Sequence, residues 1–341
     1  MRARGIRVAV VALVSGSALC GCSGGGGDGE AATGCQGLPV LAFDHETIDP
    51  DRGIGGGVPE VSTLSADGHV EMITGSWVAN DAALAPGGDR LVVVRAEGDY
   101  ESAGPQATAL WVLDIDGSDP RELTGGDVLD EDPGWSRDGS TIVFVRSGFD
   151  GVDGYPQAVM TVPAGGGDPV ELHRVEGDRL TNPVWSPDGR RIAFVRAAYA
   201  EATGQVATRV WTMNADGTDP RPLVELPHVA SLDWHPDGTS LLVGSATNNS
   251  EASLVDPDTG ASEPLGTGIA NPTWSADGDQ VYAHIGDPAD SPERWRIAAG
   301  HVEDGAFVED RTVLAPDDLA GTAHEGISLY PGFALDAGPC G

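Results

Sequence analysis

The phrase NPVWSPDGRRIAFVR, residues 182–196, decides the fold of this chain. A tryptophan precedes a tight SPDG turn, and an alternating apolar run follows it. Because glycine tolerates a positive φ and aspartate bonds back to nearby backbone, this turn predicts a β-hairpin. The β-branched and aromatic residues that flank it predict the two strands.

The phrase is repeated along the chain. Related copies are DPGWSRDGSTIVFVR (132–146), SLDWHPDGTSLLVGS (231–245), NPTWSADGDQVYAHI (271–285) and the weaker AALAPGGDRLVVVR (82–95). The turn glycines are Gly88, Gly139, Gly189, Gly238 and Gly278, at intervals of 51, 50, 49 and 40 residues. A period of about 40–50 residues indicates a propeller or another repeat array.

Downstream, each repeat adds a second hairpin. These hairpins are ALWVLDIDGSDPREL (109–123), AVMTVPAGGGDPVEL (158–172), RVWTMNADGTDPRPL (209–223) and the shorter ASLVDPDTGASEPL (252–265). Four strands per repeat, with regular turns and no helical periodicity, predict one propeller blade. Strands that are apolar on both faces suit a blade packed between two neighbours.

The WSPDG–IAF phrase followed by MNADGTDP resembles the propeller repeats of the TolB family, which are similar to those in prolyl oligopeptidase-like enzymes. The resemblance covers most of the chain after about residue 38 and implies an all-β propeller. It does not imply an activity, because a fold does not determine a function. The chain departs from TolB in leaving no room for an α/β domain ahead of the propeller, and from the peptidases in having no hydrolase domain before Gly341.

The number of blades depends on how the two ends of the chain pair. Residues 59–74, PEVSTLSADGHVEMIT, match the second hairpin of a blade, and LPVLAFDHE (38–46) and GISLYPGFALDA (326–337) can each add a strand to it. A first blade shared by both ends gives six blades and removes open sheet edges. Seven blades remain the alternative if residues 294–314 pair differently.

The first 21 residues have the features of a bacterial secretion signal: three arginines followed by a short apolar run. The run ends in LCGC (19–22), which resembles a lipobox and implies cleavage before Cys22 and a lipid on its sulfur; cleavage as an ordinary signal peptide is the alternative. Residues 22–37 then read as a glycine-rich tether and residues 38–341 as the propeller. We expect an extracytoplasmic protein held on a bacterial membrane through this lipid only.

Two cysteines remain after the leader and the lipidated position, Cys35 and Cys340. They lie just outside the first and last predicted strands, in a compartment that favours disulfides. A Cys35–Cys340 disulfide would tie together the strands that close the ring, and chain-entropy arguments give such a long loop several kcal/mol.

The charge of the chain excludes some partners. With 19 arginines, no lysine and 53 acids, its formal charge is −34, which disfavours nucleic acid and anionic membrane surfaces. The acidity is explained by solubility, with cation binding as the alternative. The acids of LDEDPG (129–134) and DIDGSDP (114–120) are of the type that binds Ca²⁺, but the second aligns with the turn NADGTDP and so predicts turn formers. We expect no cofactor and no metal site, with calcium as the open alternative.

Candidate binding residues cluster on three long loops between the second and third strands of blades two to four, at 96–108, 147–157 and 197–208. The loops carry the aromatic residues Tyr100, Phe149, Tyr155 and Tyr199, each close to acids, and start at arginines in one register: Arg95, Arg146 and Arg196. Exposed aromatics on loops held by a rigid scaffold are typical of recognition surfaces, and arginines bind carboxylates. The alternative is that each arginine pairs with an acid of the adjacent blade.

We find no HExxH motif and no GxxxxGK[ST] phosphate-binding loop. The sequence therefore predicts a binding or scaffold module for an envelope protein or peptide, rather than an enzyme. An enzyme of lyase or hydrolase type, or a small-molecule binder, that uses the central channel of the propeller is the alternative. The repeated tryptophans Trp135, Trp185, Trp234 and Trp274 are predicted to be packing residues.

Overall fold

The computed structural model of the chain describes residues 39–46, 59–65, 69–74, 77–97, 107–148, 156–200, 205–245, 250–286, 295–315, 318 and 335–337. Within these ranges the structure is built from β-strands, as the sequence predicts. Cys22, Cys35, Cys340, Tyr100, Phe149 and Tyr155 lie outside them. No helix in the described part of the chain is long and apolar enough to span a membrane.

The described strands form five sheets, four with four strands and one with eight. The eight-stranded sheet consists of two successive groups of four strands, and the six groups that result are here called blades one to six. Blade one contains β1 (Pro39–Glu46), β2 (Pro59–Ser65), β3 (Val70–Met72) and β24 (Leu335–Ala337); blade two contains β4 (Ala79–Leu84), β5 (Arg90–Glu97), β6 (Ala107–Asp114) and β7 (Arg121–Glu122). Blade three contains β8 (Val128–Trp135), β9 (Thr141–Gly148), β10 (Gln157–Pro163) and β11 (Val170–Val175); blade four contains β12 (Arg179–Trp185), β13 (Arg191–Ala200), β14 (Gln205–Asn214) and β15 (Arg221–Glu225). Blade five contains β16 (Val229–Trp234), β17 (Leu241–Ser245), β18 (Glu251–Val255) and β19 (Ser262–Gly266); blade six contains β20 (Ile269–Trp274), β21 (Val281–Ile285), β22 (Arg296–Glu303) and β23 (Ala306–Leu314).

Every blade is an antiparallel sheet. Its strands follow chain order in blades two to six, whereas in blade one the last strand of the chain, β24, lies beside β1. One parallel bridge, Thr108 to Leu129, joins blades two and three into a continuous eight-stranded sheet. In blade one, β24 pairs with β1 through the partners Ala42 and Asp336. The sequence left the pairing of residues 294–314 open; within this segment β22 pairs with β21 and β23 pairs with β22, as the third and fourth strands of blade six.

The turns have the predicted chemistry. Gly88, Gly139, Gly189, Gly238 and Gly278 all have φ between 68° and 81°. In four of these turns the aspartate side chain accepts a backbone N–H two residues on, as Asp138 does from Ser140 and Asp188 from Arg190. Hydrogen bonds from the hydroxyl groups of Ser140 and Ser136, followed by the one from the backbone N–H of Ser140, lower the pKa of Asp138 to about 2. DIDGSDP behaves as predicted, since Asp116 accepts the backbone N–H of Ser118.

The innermost strand of each blade, termed the inner strand, contacts the inner strand of the next blade; it is the first strand in chain order in blades two to six, and β24 in blade one. The contacts run from β4 to β8, β12, β16 and β20, then to β24 and back to β4. Between blades, apolar side chains fill the seams; Val143 and Val145 of blade three, for example, pack with Ile192 and Phe194 of blade four. The repeated tryptophans lie in these clusters, which confirms their packing role.

His284 breaks the apolar pattern of the seams. It occupies the register that Val94, Val145 and Val195 hold in other blades, and its side chain is 1% exposed. Within the described residues its Nδ1 has no hydrogen-bond partner. Burial lowers the pKa of His284 to about 4, so the folded state resists protonation that the unfolded state accepts below about pH 6.5.

We therefore expect His284→Val to stabilise the protein increasingly as the pH falls. The unfolded wild type gains a proton between about pH 6.5 and 4 that the folded state does not take up, so the wild type loses stability in that window. The advantage of the variant in chemical unfolding should grow by roughly 3 kcal/mol from pH 7 to pH 4. An advantage that stays constant over this range would contradict the assignment.

Candidate binding face

The three candidate arginines occupy the same place in three successive blades. Arg95, Arg146 and Arg196 lie opposite Ala79, Asp130 and Leu180 of their inner strands, at the end of the second strand where the long loops begin. Each arginine lies on the same face of its strand as residues such as Phe144 and Phe194, which fill the seam with the preceding blade. The three guanidinium groups therefore share one end of the blades but belong to three different seams.

Arg146 is held by a fully buried acid. Its Nε and Nη2 each donate to one carboxylate oxygen of Asp130, at 2.7 Å in both cases. The Asp130 side chain is 0% exposed, whereas that of Arg146 is 24% exposed. A bidentate guanidinium–carboxylate pair of this kind has fixed geometry as well as charge compensation.

Arg196 and Arg95 are held differently. The Nε of Arg196 donates to Asp178 at 2.5 Å, and its guanidinium lies 5.0 Å from the ring centre of Trp211. The guanidinium of Arg95 lies 4.2 Å from the ring centre of Trp77 and 4.8 Å from that of Trp111. Such cation–π contacts stabilise by about 0.5–2 kcal/mol each.

Because these arginines have partners within the protein, a substitution that tests binding also changes stability. Reversing the charge of Arg146 would place a second acid beside buried Asp130, so it would affect folding as well as binding. The acids that hold Arg146 and Arg196 come from their own inner strand and from the connection leading into it, rather than from a strand of the adjacent blade. A role of the three arginines in binding stays a prediction.

The residues that end the three long loops hydrogen-bond to the next blade and act as clamps between blades. Sequence analysis did not predict these bonds. At one register, Thr108 Oγ1 accepts the backbone N–H of Asp130, Gln157 Oε1 that of Leu180, and Thr208 Oγ1 that of Val229. Each accepting side chain belongs to the third strand of one blade, and each donor to the inner strand of the next. The repeat alignment carries the signal, since all three residues close a long loop at the same register.

In the described residues, the paired ribbon at this end is longest in blade four. Beyond Arg196 its second and third strands remain paired through Ala197–Thr208, Ala198–Ala207, Tyr199–Val206 and Ala200–Gln205. Blade two has two such pairs, blade three has one, and blades five and six end at the register of the arginine. Val206 on this ribbon is 48% exposed, so an apolar side chain stands on a projection whose two strands are paired.

A cleft of about 410 Å³ opens between blades two and three. Its wall consists of Arg146 and Pro169 from blade three and Glu122, Leu123, Thr124 and Gly125 from blade two. Leu123 is buried, and Thr124 Oγ1 accepts the backbone N–H of Leu110, so this wall is held in place.

Two carboxylates on inner strands also link neighbouring blades. Asp132 accepts the backbone N–H of Asn182 at 3.0 Å, and Asp233 accepts the backbone N–H of Trp274 at 2.7 Å and the hydroxyl of Thr273 at 2.9 Å. Burial raises the pKa of each to about 6, against these stabilising hydrogen bonds. In the described residues no three His, Cys, Asp or Glu side chains are grouped so that they could hold a metal ion.

The sequence matches the model of a known protein family. The family model of the lipoprotein LpqB β-propeller domain (Gmad1) matches residues 61–305, from β2, the third strand of blade one, to the turn before β23, the last strand of blade six. The chain belongs to this family. No curated protein sequence is significantly similar to this LpqB-type propeller.

Solved structures show the same fold. TolB from Acinetobacter baumannii superimposes with a TM-score of 0.59 at 15% identity, over 82% of this chain and 66% of the TolB chain. Hydrazine synthase from Kuenenia stuttgartiensis gives 0.64 at 14% identity, over 87% of this chain and 47% of the other. An oligogalacturonate lyase in complex with manganese gives 0.54 at 16% identity, over 79% and 78%. The LpqB-type propeller is thus a TolB-type β-propeller in fold. Sequence identities this low show the fold and give no information about activity.

Proposed function

We propose that this chain is a closed six-bladed propeller that binds another envelope protein or an extended peptide through the long-loop end of blades two to four. The closed ring is supported by the pairing of β24 with β1 and by the cycle of inner-strand contacts. The observation that carries the binding role is the projecting ribbon of blade four, which exposes Val206 beside the loop bases that clamp successive blades. An apolar group on a rigid support loses little entropy on binding.

The loop end has side chains suited to recognition. Tyr100, Phe149, Tyr155 and Tyr199 are proposed as contact residues, with Arg95, Arg146 and Arg196 holding the bases of their loops. Aromatic and arginine side chains are enriched among the residues that dominate binding energy at protein interfaces. The proposal includes no enzymatic activity, no cofactor and no nucleic-acid partner.

Binding should depend on the loops rather than on the blades. We expect cross-linked affinity capture from intact cell envelopes to recover a partner with the wild type. A variant whose segments 98–106, 149–155 and 198–207 are each replaced by residues 246–249 of blade five should not recover it. These cuts keep Thr108, Gln157 and Thr208, so the clamps to the next blade remain.

Gly165→Ser is the matched control, because it alters a turn of blade three where an added side chain meets open space. It should capture the partner as the wild type does. Recovery of the same proteins by the wild type and the loop variant, or of none by either, would refute the loop-face proposal.

We also propose that Cys22 carries the lipid anchor, that residues 22–37 form the tether and that Cys35 and Cys340 form a disulfide. Membership of a lipoprotein propeller family supports the anchor. Intact-mass measurement of the protein extracted from membranes should give a chain that begins at Cys22, carries lipid and has no free thiol. A soluble mature chain, or two alkylatable cysteines, would contradict the corresponding part.

The second candidate function is a small-molecule or catalytic site in the central channel. The raised pKa values of Asp132 and Asp233 on inner strands favour it, since perturbed carboxyl groups are frequent at functional sites. If capture shows no loop-dependent partner, a metabolite and metal screen of the wild type against Asp132→Asn tests this alternative. A ligand whose binding is lost in that variant would support it.

A further inference from the structure

The seams in front of blades two, three and four differ in what covers the repeated arginine. In blade two the cover is Trp77, two residues before the inner-strand partner of Arg95. In blade four the residue at the corresponding position is Asp178, which pairs with Arg196. In blade three this position holds Val128, and Gly125, Gly126 and Asp127 precede it.

The missing cover leaves the 410 Å³ cleft in front of Arg146. The cleft is within the range of about 300–1,000 Å³ that small-ligand sites occupy. Arg146 is fixed by the bidentate bond to Asp130, which uses Nε and Nη2, and its side chain is 24% exposed. The ring of Phe144, on the same strand, lies 5.4 Å from the guanidinium. The exposed side chain of Glu122 stands at the wall of the same cleft.

The charges of the cleft disfavour an anionic ligand. Asp130 already neutralises Arg146, and Glu122 adds a further negative charge, so a carboxylate or phosphate would meet two acids and one arginine. A neutral planar group with a hydrogen-bond donor fits better, because it can stack on the guanidinium and donate to the Glu122 carboxylate. An indole has both properties.

The same chain uses this packing elsewhere. Arg95 lies over the rings of Trp77 and Trp111. Three further arginines lie over tryptophan rings at 5.0–5.2 Å: Arg90 over Trp135, Arg191 over Trp234, and Arg196 over Trp211. Two of these, Arg90–Trp135 and Arg191–Trp234, cross from one blade to the next. The seams of this propeller therefore accommodate an indole on an arginine as a recurring arrangement.

We propose that the cleft between blades two and three binds an aromatic side chain, preferably tryptophan, presented by an extended segment of the partner protein. The side chain would take the place in front of Arg146 that Trp77 takes in front of Arg95. This inference rests on the proposed partner-binding function and adds the chemistry that the partner must present.

The test uses N-acetyl-5-fluorotryptophanamide as the probe and ¹⁹F NMR line broadening as the readout, with the full mature chain. We expect saturable binding with a dissociation constant on the order of 1 mM or tighter. Gly125→Trp should fill the cleft from within and abolish binding, because an added side chain there meets only the movable end of Glu122. Gly165→Trp, in a turn with open space around it, is the control for an extra tryptophan and should bind as the wild type does.

Arg146→Lys tests the stacking directly, since lysine keeps the charge beside Asp130 but lacks the planar guanidinium. It should weaken probe binding by about fivefold to tenfold, the equivalent of one such cation–π contact. The equivalent change at Arg209, an exposed arginine of blade four that pairs with Glu225, should leave probe binding unchanged.

Failure to bind the wild type, or equal binding by Gly125→Trp and the wild type, would overturn the inference. Binding that appears only after Phe149→Ser and Tyr155→Ser would also overturn it, because the occupant would then be the chain's own loop. If partner capture is loop-dependent while Gly125→Trp captures normally, the proposed function stands and this inference fails. If capture shows no loop dependence but the probe binds and Gly125→Trp blocks it, the proposed function fails and the cleft remains an aromatic site.

Discussion

Replacing Arg146 with methionine should lower the free energy of unfolding by about 3–5 kcal/mol, because it leaves the carboxylate of Asp130 buried without its charge partner. Asp130 is 0% exposed and both its carboxylate oxygens accept from Arg146. Methionine preserves much of the apolar stem that packs in the seam. The measurement is equilibrium unfolding in urea at neutral pH.

The double variant Arg146→Met with Asp130→Val should recover most of this loss, since removing both charges also removes the cost of burying them. Arg196→Met is the matched comparison in blade four. Its partner Asp178 retains 19% of its side-chain exposure, so solvent can compensate more of the lost contact and the loss should be smaller. Equal losses for the two single variants, or a double variant no more stable than Arg146→Met, would contradict this account.

The second large effect concerns pH. Asp233 has a pKa of about 6 in the folded protein, raised by burial, against an ordinary value of 3.8. Between these values the folded state holds a proton that the unfolded state releases, so this group makes the protein less stable as the pH rises from about 4 to 6. Asp233→Asn removes the titration and should gain roughly 2–3 kcal/mol relative to the wild type between pH 4 and 7.

The hydrogen bonds of Asp233 provide the control. Trp274 and Thr273 donate to the same carboxylate oxygen, so the amide oxygen of asparagine can accept both. Asp233→Leu removes the titration but also the acceptor, and the orphaned donors should cost about 1–3 kcal/mol at every pH. Unfolding measured at pH 4, 5, 6 and 7 separates the two, and a pH profile of Asp233→Asn parallel to that of the wild type would refute the assignment.

Asp233 and His284 act in opposite directions. Acid favours the folded state through Asp233 and opposes it through His284, whose pKa burial lowers to about 4. The pH profile of the wild type is therefore a sum in which each contribution is partly hidden. Comparing each variant with the wild type isolates its own contribution, provided the two sites are distant enough to be additive.

The sequence by itself determined the repeat, its turns and the register of its strands. A positive φ at Gly139 or Gly189, and the backbone bond to Asp138 or Asp188, are local requirements of a tight turn, so they can be read from four residues. The β-propeller follows because strands that are apolar on both faces must pack between neighbours. The alignment of Arg95, Arg146 and Arg196 also follows, because equal spacing from equal turns gives equal register.

Only the tertiary structure decided what these residues touch. One register in three blades places Arg95 between two indoles, Arg146 on a buried carboxylate and Arg196 on Asp178. The difference arises in the connection from the preceding blade, which supplies Trp77, Val128 or Asp178 in front of the arginine. Spacing along one blade carries no information about the side chains across a seam, because those contacts depend on how two blades pack. The cleft beside Arg146 exists for the same physical reason: blade three has no aromatic residue or acid where its neighbours use one to cover the arginine.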